Sequence, residues 1–205
     1  MKKNIFFFIL IFFIFLKNSG AKELTNNVIL SIDNAIVTEL DLNKEINFIR
    51  FITKSNNFYD KNSIKREAIH NLIDRKIKNI EANNLKVEVS EKEIEINLYN
   101  YLTDQKIKLE DVNAFYKENE IEDDYLKNII KTDMKWSKLI TDIYAGRVNI
   151  NLTEINKDIS KESPNSTNNE KLKNELINSE RNMLLNKFSI SHLEKIKKKY
   201  LIKFL

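Results

Sequence analysis

The sequence contains no cysteine, one proline and only two glycines among its 205 residues. Without cysteine, the chain has no disulfide framework, thiol nucleophile or thiolate metal site. Phosphate-cradling loops need several glycines so that backbone N–H groups can approach the ligand, which excludes P-loop and Rossmann sites. Only two histidines are present, His70 and His192, and they lie far apart in the sequence. We therefore expect no metal, no cofactor and no catalytic residues.

An excess of one charge is also lacking outside the N-terminus. The first 21 residues hold three lysines and no acid, which leaves 31 basic and 30 acidic residues in the other 184. The basic run Lys195–Lys199 has Tyr200 beside it but lacks the interleaved aromatic residues of a nucleic-acid surface. The carboxylates fall on polar helix faces, and none forms a distinct acid–base pair. We expect no nucleic-acid partner.

The N-terminal segment has the pattern of a secretory signal. A basic start precedes the unbroken apolar run Ile5–Leu16, and the small residues Ser19, Gly20 and Ala21 follow it. Twelve helical residues span only about 18 Å, which is short of the roughly 30 Å hydrocarbon core of a bilayer. We therefore expect cleavage after Ala21, a periplasmic location and no stable membrane insertion after cleavage. An uncleaved anchor is the alternative.

The rest of the chain is predicted to be mainly helical. The β-branched runs Val28–Ile32 and Ala35–Thr38 flank Asp33 and Asn34, which predicts a tight hairpin. Amphipathic patterns and caps predict helices from Thr38 to about residue 53, over residues 61–84, from Ser90, and over 109–117, 121–147 and 170–199. The closing apolar segment, residues 200–205, is predicted to be a strand. It must pair, and the hairpin is its only candidate partner.

Composition divides the chain into four segments. We assign residues 1–21 to the signal, 22–157 to a helical domain, 158–169 to a flexible linker, and 170–205 to a helix and strand that pack back on the domain. The linker holds the only proline, within the run Ser160–Asn169, which has no apolar residue.

The aromatic residues provide the remaining signal for a binding surface. Phe48 and Phe51 cannot both share a narrow helical stripe with Ile46 and Ile49, so some apolar surface should remain outside the core. The candidate peptide-binding residues are Phe48, Phe51, Tyr99, Tyr101 and Trp136. Core packing is the alternative role for each of them.

The order of these elements resembles the SurA family of periplasmic chaperones for outer-membrane proteins. Residues 32–42 look like the family's opening hairpin and first helix, and residues 67–76 are similar to its long helix. Residues 87–94 match its extended link and capping box. Residues 140–155 resemble the end of its N-terminal domain, and residues 181–205 resemble its last helix and closing strand. The ordered set covers most of the chain after the signal.

The resemblance implies a mainly α fold, similar to the SurA N-terminal domain, in which a small N-terminal β-hairpin is joined by the C-terminal strand. It also implies an ATP-independent holdase that binds unfolded outer-membrane proteins or other extended polypeptides. The family carries parvulin-type isomerase modules before its last helix. Here the interval Leu152–Lys171 has only 20 residues and lacks glycine and histidine. We therefore expect no isomerase activity. Peptidyl-prolyl isomerase activity is an alternative by family analogy alone. An envelope adaptor or structural protein with one fixed partner is the alternative function.

Overall fold

The computed structural model describes residues 27–53, 60–162 and 169–205. The predicted signal therefore lies outside the described residues. Within those ranges the chain forms a small sheet and seven α-helices. The strands are β1 (Val28–Ile32), β2 (Ala35–Thr38) and β3 (Ile202–Phe204). The helices are α1 (Glu39–Thr53), α2 (Lys61–Asn84), α3 (Glu91–Asp104), α4 (Leu109–Glu118), α5 (Tyr125–Tyr144), α6 (Leu152–Glu162) and α7 (Asn169–Lys197).

The three strands form one antiparallel sheet in the order β2-β1-β3, which confirms that the C-terminal strand joins the hairpin. Ile32 is opposite Ala35 on one side and Ile202 on the other. Asp33 adopts a left-handed backbone (φ 48°) in the hairpin turn, a conformation that Asp tolerates. Its side-chain Oδ1 also accepts a hydrogen bond of 2.9 Å from the backbone N–H of Leu201, which fastens β3 to the turn.

The main core lies between the sheet and four helices. Leu30, Ile32 and Val37 are fully buried on the inner face of the sheet. They belong to one apolar cluster with α1, α2, α5 and α7. The predicted stripe of α2 is confirmed: Ile64 and Ala68 are buried, as are residues 72 and 77 further along the helix. Burial of this stripe gives the longest helix of the N-terminal part its fixed place in the fold.

A second apolar cluster lies at the other end of α1. Phe48 belongs there to one cluster with buried residues of α3, α4 and the first turns of α5, including Ile94, Val112 and Leu126. The capping box predicted at Ser90 is present and fixes the start of α3: the N–H of Glu93 donates to Ser90 Oγ at 3.2 Å, and the N–H of Ser90 donates to the Glu93 carboxylate at 2.8 Å. The predicted helix over 121–147 is shorter, because α5 begins only at Tyr125 and ends in a 3₁₀ turn after Tyr144.

Polar contacts as well as apolar ones hold α7 on the rest of the fold. Trp136 Nε1 donates to Ser189 Oγ at 2.8 Å, and Lys197 Nζ lies 2.7 Å from Asp74 Oδ1 on α2. Leu193 and Ile196 are buried in the main core. The C-terminal segment therefore packs against α2 and α5 along its second half.

Helix α6 was not predicted. It occupies residues 152–162 and so includes the first five residues of the predicted linker, whereas residues 163–168 lie outside the described residues. Ile155 and Ile159, one turn apart, are buried, and α6 packs against α7. The sequence carries a local signal for this helix, because Leu152, Ile155 and Ile159 recur at helical spacing and Asn151 Oδ1 accepts a hydrogen bond of 3.2 Å from a backbone N–H of the first turn. Packing against α7 adds to that signal.

Candidate functional site

A groove of about 610 Å³ runs between α3 and α5. Its α3 side is formed by Val89, Glu93, Asn97 and Tyr101. Its α5 side is formed by Leu126, Ile129, Ile130, Asp133, Met134, Ser137, Lys138, Thr141 and Asp142. Ligand-binding clefts commonly enclose about 300–1,000 Å³, so the groove is large enough to hold side chains of another molecule.

The floor of the groove is apolar. Leu126 and Ile130 are buried beneath it, while Ile129, Met134 and Val89 are only partly buried and reach its surface. This floor exists because α5 carries an apolar face wider than one neighbour can cover. Residues such as Trp136 and Ile140 face the main core, and the remaining apolar side chains face α3.

The rim of the groove is polar, and three of its four charged residues are acidic. Burial, reinforced by the negative charge of Asp133, raises the pKa of Tyr101, so its hydroxyl stays neutral and able to donate at physiological pH. The hydrogen bond from the Ser90 backbone lowers the pKa of Glu93, which keeps that carboxylate ionised. Asp133 is held by Lys78 of α2, whose Nζ lies 2.8 Å from it. An apolar floor inside a polar rim can bind apolar side chains while the rim stays hydrated.

Ion pairs join the two helices that form the groove. Glu91, at the start of α3, lies 2.8 Å from Lys127 and 3.5 Å from Lys131, both on α5. The hydrogen bond from Lys127 is the main cause of a lowered pKa at Glu91. Lys138 Nζ, on α5, donates to the carbonyl oxygen of Glu88, just before α3, at 2.9 Å. These contacts add polar links to the apolar packing of α3 on α5.

A second hollow of about 360 Å³ lies on the other side of α5, against α7. Asp133, Ser137 and Thr141 line both hollows, so the exposed face of α5 forms a low ridge shared by the two. The α7 wall contributes the amide side chains of Asn182 and Asn186. Amides and hydroxyls can each donate and accept, as the backbone of an extended polypeptide requires.

Of the predicted site residues, only Tyr101 lines the groove. Tyr99 is 72% exposed on α3 but lies outside it. Phe51 is partly buried and stacks on Phe115, with 4.5 Å between ring centroids. Phe48 and Trp136 are 4% and 3% exposed and belong to the core, although Trp136 also lines the second hollow.

The residues that sequence reasoning missed are the aliphatic ones of the floor. Val89, Ile129 and Met134 have no functional group that would mark them as binding residues in a sequence. Periodicity also places Ile129 and Met134 on the same wide stripe as the core residues of α5. The width of that stripe was the available signal. It indicates excess apolar surface without showing which edge of the stripe remains open.

The only extensive buried charge network in the described residues surrounds Glu45. Arg75 binds its carboxylate with both terminal nitrogens, at 2.9 and 3.0 Å, and the Tyr125 hydroxyl donates to it at 2.6 Å. Asn71 Nδ2 adds a hydrogen bond of 3.2 Å. Burial lowers the pKa of Arg75, but its bonds to Glu45 outweigh this and raise the pKa overall. Burial and the charge of Glu45 also raise the pKa of Tyr125. This network joins α1, α2 and α5 between the two apolar clusters, which indicates a structural role.

Within residues 27–53, 60–162 and 169–205, no three His, Asp or Glu side chains come together in a way that could hold a metal ion. None of the described helices combines the length and apolarity that crossing a bilayer requires. No protein-family model matches the chain, and no curated protein matches it.

Proposed function

We propose that the protein is an ATP-independent periplasmic holdase that binds unfolded segments of outer-membrane proteins without isomerase catalysis. The observation that carries the proposal is the α3–α5 groove, an open channel with an apolar floor and a hydrated polar rim. The signal-like N-terminus and the resemblance of the element order to the SurA family support the location and the client class.

The groove suits weak and reversible contact. Its apolar side chains are partly buried already, so each adds only part of the roughly 1.5–3 kcal/mol that full burial of a large apolar side chain supplies. A client that rests several side chains on Val89, Ile129 and Met134 gains a few such increments and loses the conformational freedom of the bound segment. The small net gain allows release without nucleotide hydrolysis.

The proposal assigns no isomerase activity. The interval Leu152–Lys171, where the family carries parvulin-type modules, is 20 residues long, and its described part forms α6 and the start of α7. Proline isomerisation of a short peptide, measured with and without the protein, tests this directly. Clear catalysis would contradict the assignment.

One observation favours the adaptor alternative. The bridges from Glu91 to Lys127 and Lys131, together with the Lys138 contact to Glu88, link the two helices that form the groove. A groove between linked helices suits one partner of matching shape better than many unrelated chains.

The deciding experiment is light scattering of an outer-membrane β-barrel protein diluted from urea, with and without the purified protein. We expect suppressed aggregation at near-stoichiometric ratios, and the same with a second, unrelated unfolded chain. Failure to suppress the aggregation of either chain, with a well-folded helical sample, would refute the holdase and favour the adaptor.

A matched pair of variants tests whether clients bind in the groove. Met134→Glu puts a carboxylate on the apolar floor, whereas Met183→Glu makes the same change at an exposed position of α7. We expect Met134→Glu to need about tenfold more protein for equal suppression, because a charge at an apolar contact costs about 1–2 kcal/mol. Met183→Glu should act like the wild type. Equal activity of both variants would show that clients bind elsewhere.

A further inference from the structure

Strand β3 pairs on one side only. The N–H of Asp33 donates to the carbonyl of Leu201 at 3.0 Å, and the N–H of Leu205 donates to the carbonyl of Ile29 at 3.0 Å. Backbone groups alternate in direction along an antiparallel strand, so the N–H and C=O groups of Ile202 and Phe204 point away from β1. Within the described part of the chain, no strand pairs with that outer edge.

The edge is only partly protected against pairing. Proteins blunt edge strands by keeping them short or by placing lysine, proline, bulges or inward-pointing charges on them. Strand β3 is short and carries Lys203, but it has no proline and no irregularity in its pairing with β1. Large apolar side chains also cluster there: Leu201, Phe204 and Leu205 are 58%, 68% and 78% exposed. The edge therefore combines free backbone groups with apolar side chains that another strand could cover.

The register shows which side chains a fourth strand would meet. Ile202 and Phe204 are opposite Ile32 and Leu30, so they belong to the face of the sheet that covers the core. Lys203 is opposite Ser31 and belongs to the open face. A strand paired with β3 would place apolar residues opposite Ile202 and Phe204, and the residue between them beside the Lys203 ammonium group.

We propose that the outer edge of β3 binds an extended polypeptide segment as a fourth strand, with an acidic residue opposite Lys203 and apolar residues on either side of it. Opposite charges directly across a strand pair are favourable, which supplies the preference for an acid. Alternation of apolar and polar residues is the pattern of outer-membrane β-strands. The segment therefore belongs to the client class proposed above, but this site is separate from the groove and does not depend on it.

A second copy of the chain fits the edge poorly. Two β3 strands could pair antiparallel through the outward N–H and C=O groups of Ile202 and Phe204. In that pairing Ile202 of one copy is opposite Phe204 of the other, so the pairing is centred on Lys203. That register places the two Lys203 side chains directly opposite each other, and like charges in that position are destabilising. A heterologous strand with an acidic residue avoids this repulsion.

Binding of two blocked, fluorescein-labelled heptapeptides tests the charge preference. Both have Val at the odd positions and Thr at the second and sixth, with Glu at the centre of one and Lys at the centre of the other. We expect the full-length protein to bind the Glu peptide about fivefold more tightly. Lys203→Glu should reverse the order. The same order in both proteins would overturn the assignment of Lys203.

A second pair of variants tests the backbone edge. Phe204→Ala and Phe204→Pro both remove the aromatic ring, but only proline also removes the outward backbone N–H. The backbone hydrogen bonds that Leu201 and Leu205 make with the β1 side remain in both variants. We expect Phe204→Pro to bind the Glu peptide about three- to tenfold more weakly than Phe204→Ala. Equal affinities would contradict strand addition. Met134→Glu should bind the peptide like the wild type, so failure of the groove proposal is separable from failure of this one.

Hydrogen exchange distinguishes the possible occupants. The amides of Ile202 and Phe204 should exchange fast in the free protein and slow on addition of the Glu peptide, while that of Lys203 is protected in both states. Peptide binding without slowing at Ile202 and Phe204 would refute the proposal. Slowing of these amides by anionic phosphatidylglycerol vesicles but not by peptide would also refute the proposal, in favour of a membrane surface. Slowing by self-association at high protein concentration, but not by peptide, would refute it in favour of a second copy.

Discussion

Replacing Arg75 with methionine tests whether the network around Glu45 holds the fold together. The Glu45 carboxylate is 1% exposed, and Arg75 supplies two of its four hydrogen bonds and its only cationic partner in the network. Arg75→Met keeps the aliphatic stem and leaves the carboxylate with the neutral donors Asn71 and Tyr125. Removing one partner of a buried ion pair typically costs about 3–5 kcal/mol, a large part of the roughly 5–15 kcal/mol stability of a domain.

The double variant Glu45→Met/Arg75→Met separates the charge from the packing. It removes the buried carboxylate, so the main remaining polar cost is the Tyr125 hydroxyl, which loses its acceptor, at about 1–3 kcal/mol. Asn71 also loses an acceptor, but its side chain is only partly buried. We therefore expect the double variant to be more stable than Arg75→Met alone by about 2 kcal/mol.

Urea unfolding, followed by far-UV circular dichroism and by Trp136 fluorescence, measures these differences if the two transitions coincide. A double variant no more stable than Arg75→Met would refute the reasoning. It would show that water or rearrangement satisfies the Glu45 carboxylate once the guanidinium is gone.

Two further predictions concern the C-terminal segment. Ile196→Ala should destabilise the protein by about 2–5 kcal/mol in urea unfolding, because Ile196 is buried in the main core; Ile190→Ala, at an exposed position of the same helix, should change stability by less than about 0.5 kcal/mol. Burial and the hydrogen bond to Glu81 raise the pKa of Tyr200 to about 12, so the stability it contributes is complete below the ordinary tyrosine pKa of about 10 and is lost as pH rises through about 12. The stability difference between wild type and Tyr200→Phe should therefore be constant below about pH 10 and shrink above it.

Each of these predictions has an opposing outcome. Similar small losses for Ile196→Ala and Ile190→Ala would mean that α7 is not part of the cooperative core. A difference between wild type and Tyr200→Phe that stays constant up to pH 12 would mean that the Tyr200 hydroxyl is not held in the folded state.

Much of the fold could be predicted because its signals are local. The turn residues Asp33 and Asn34 specify the hairpin, the Ser90 capping box fixes the start of α3, and the stripe through Ile64 and Ala68 defines α2. The strand at residues 202–204 was predictable for another reason: an apolar extended segment must pair its backbone, and one partner was available. Helix α6 also has a local signal, in the Asn151 cap and the spacing of Leu152, Ile155 and Ile159, but it was missed because the polar run Ser160–Asn169 favours a linker.

The candidate groove was predicted less well. Aromatic residues in excess of a narrow stripe predict some apolar surface outside the core, but large aromatic side chains also favour burial, and Phe48 and Trp136 lie in the core. Tyr101 lies at the edge of the apolar stripe of α3. It packs partly against the second apolar cluster and partly lines the groove. The aliphatic floor at Ile129 and Met134 could not be distinguished from core by periodicity, since both kinds of residue recur on the same helical stripe.

Features that depend on a few neighbouring residues follow from the sequence alone: the turn, the caps, the helical stripes and the strand that must pair. Which part of each stripe is buried depends instead on the tertiary packing. Burial depends on the distances between elements far apart in the chain, such as α3 and α5 or β1 and β3. For the same reason, the open groove and the free edge at Ile202 and Phe204 appear only once the helices and strands are packed together.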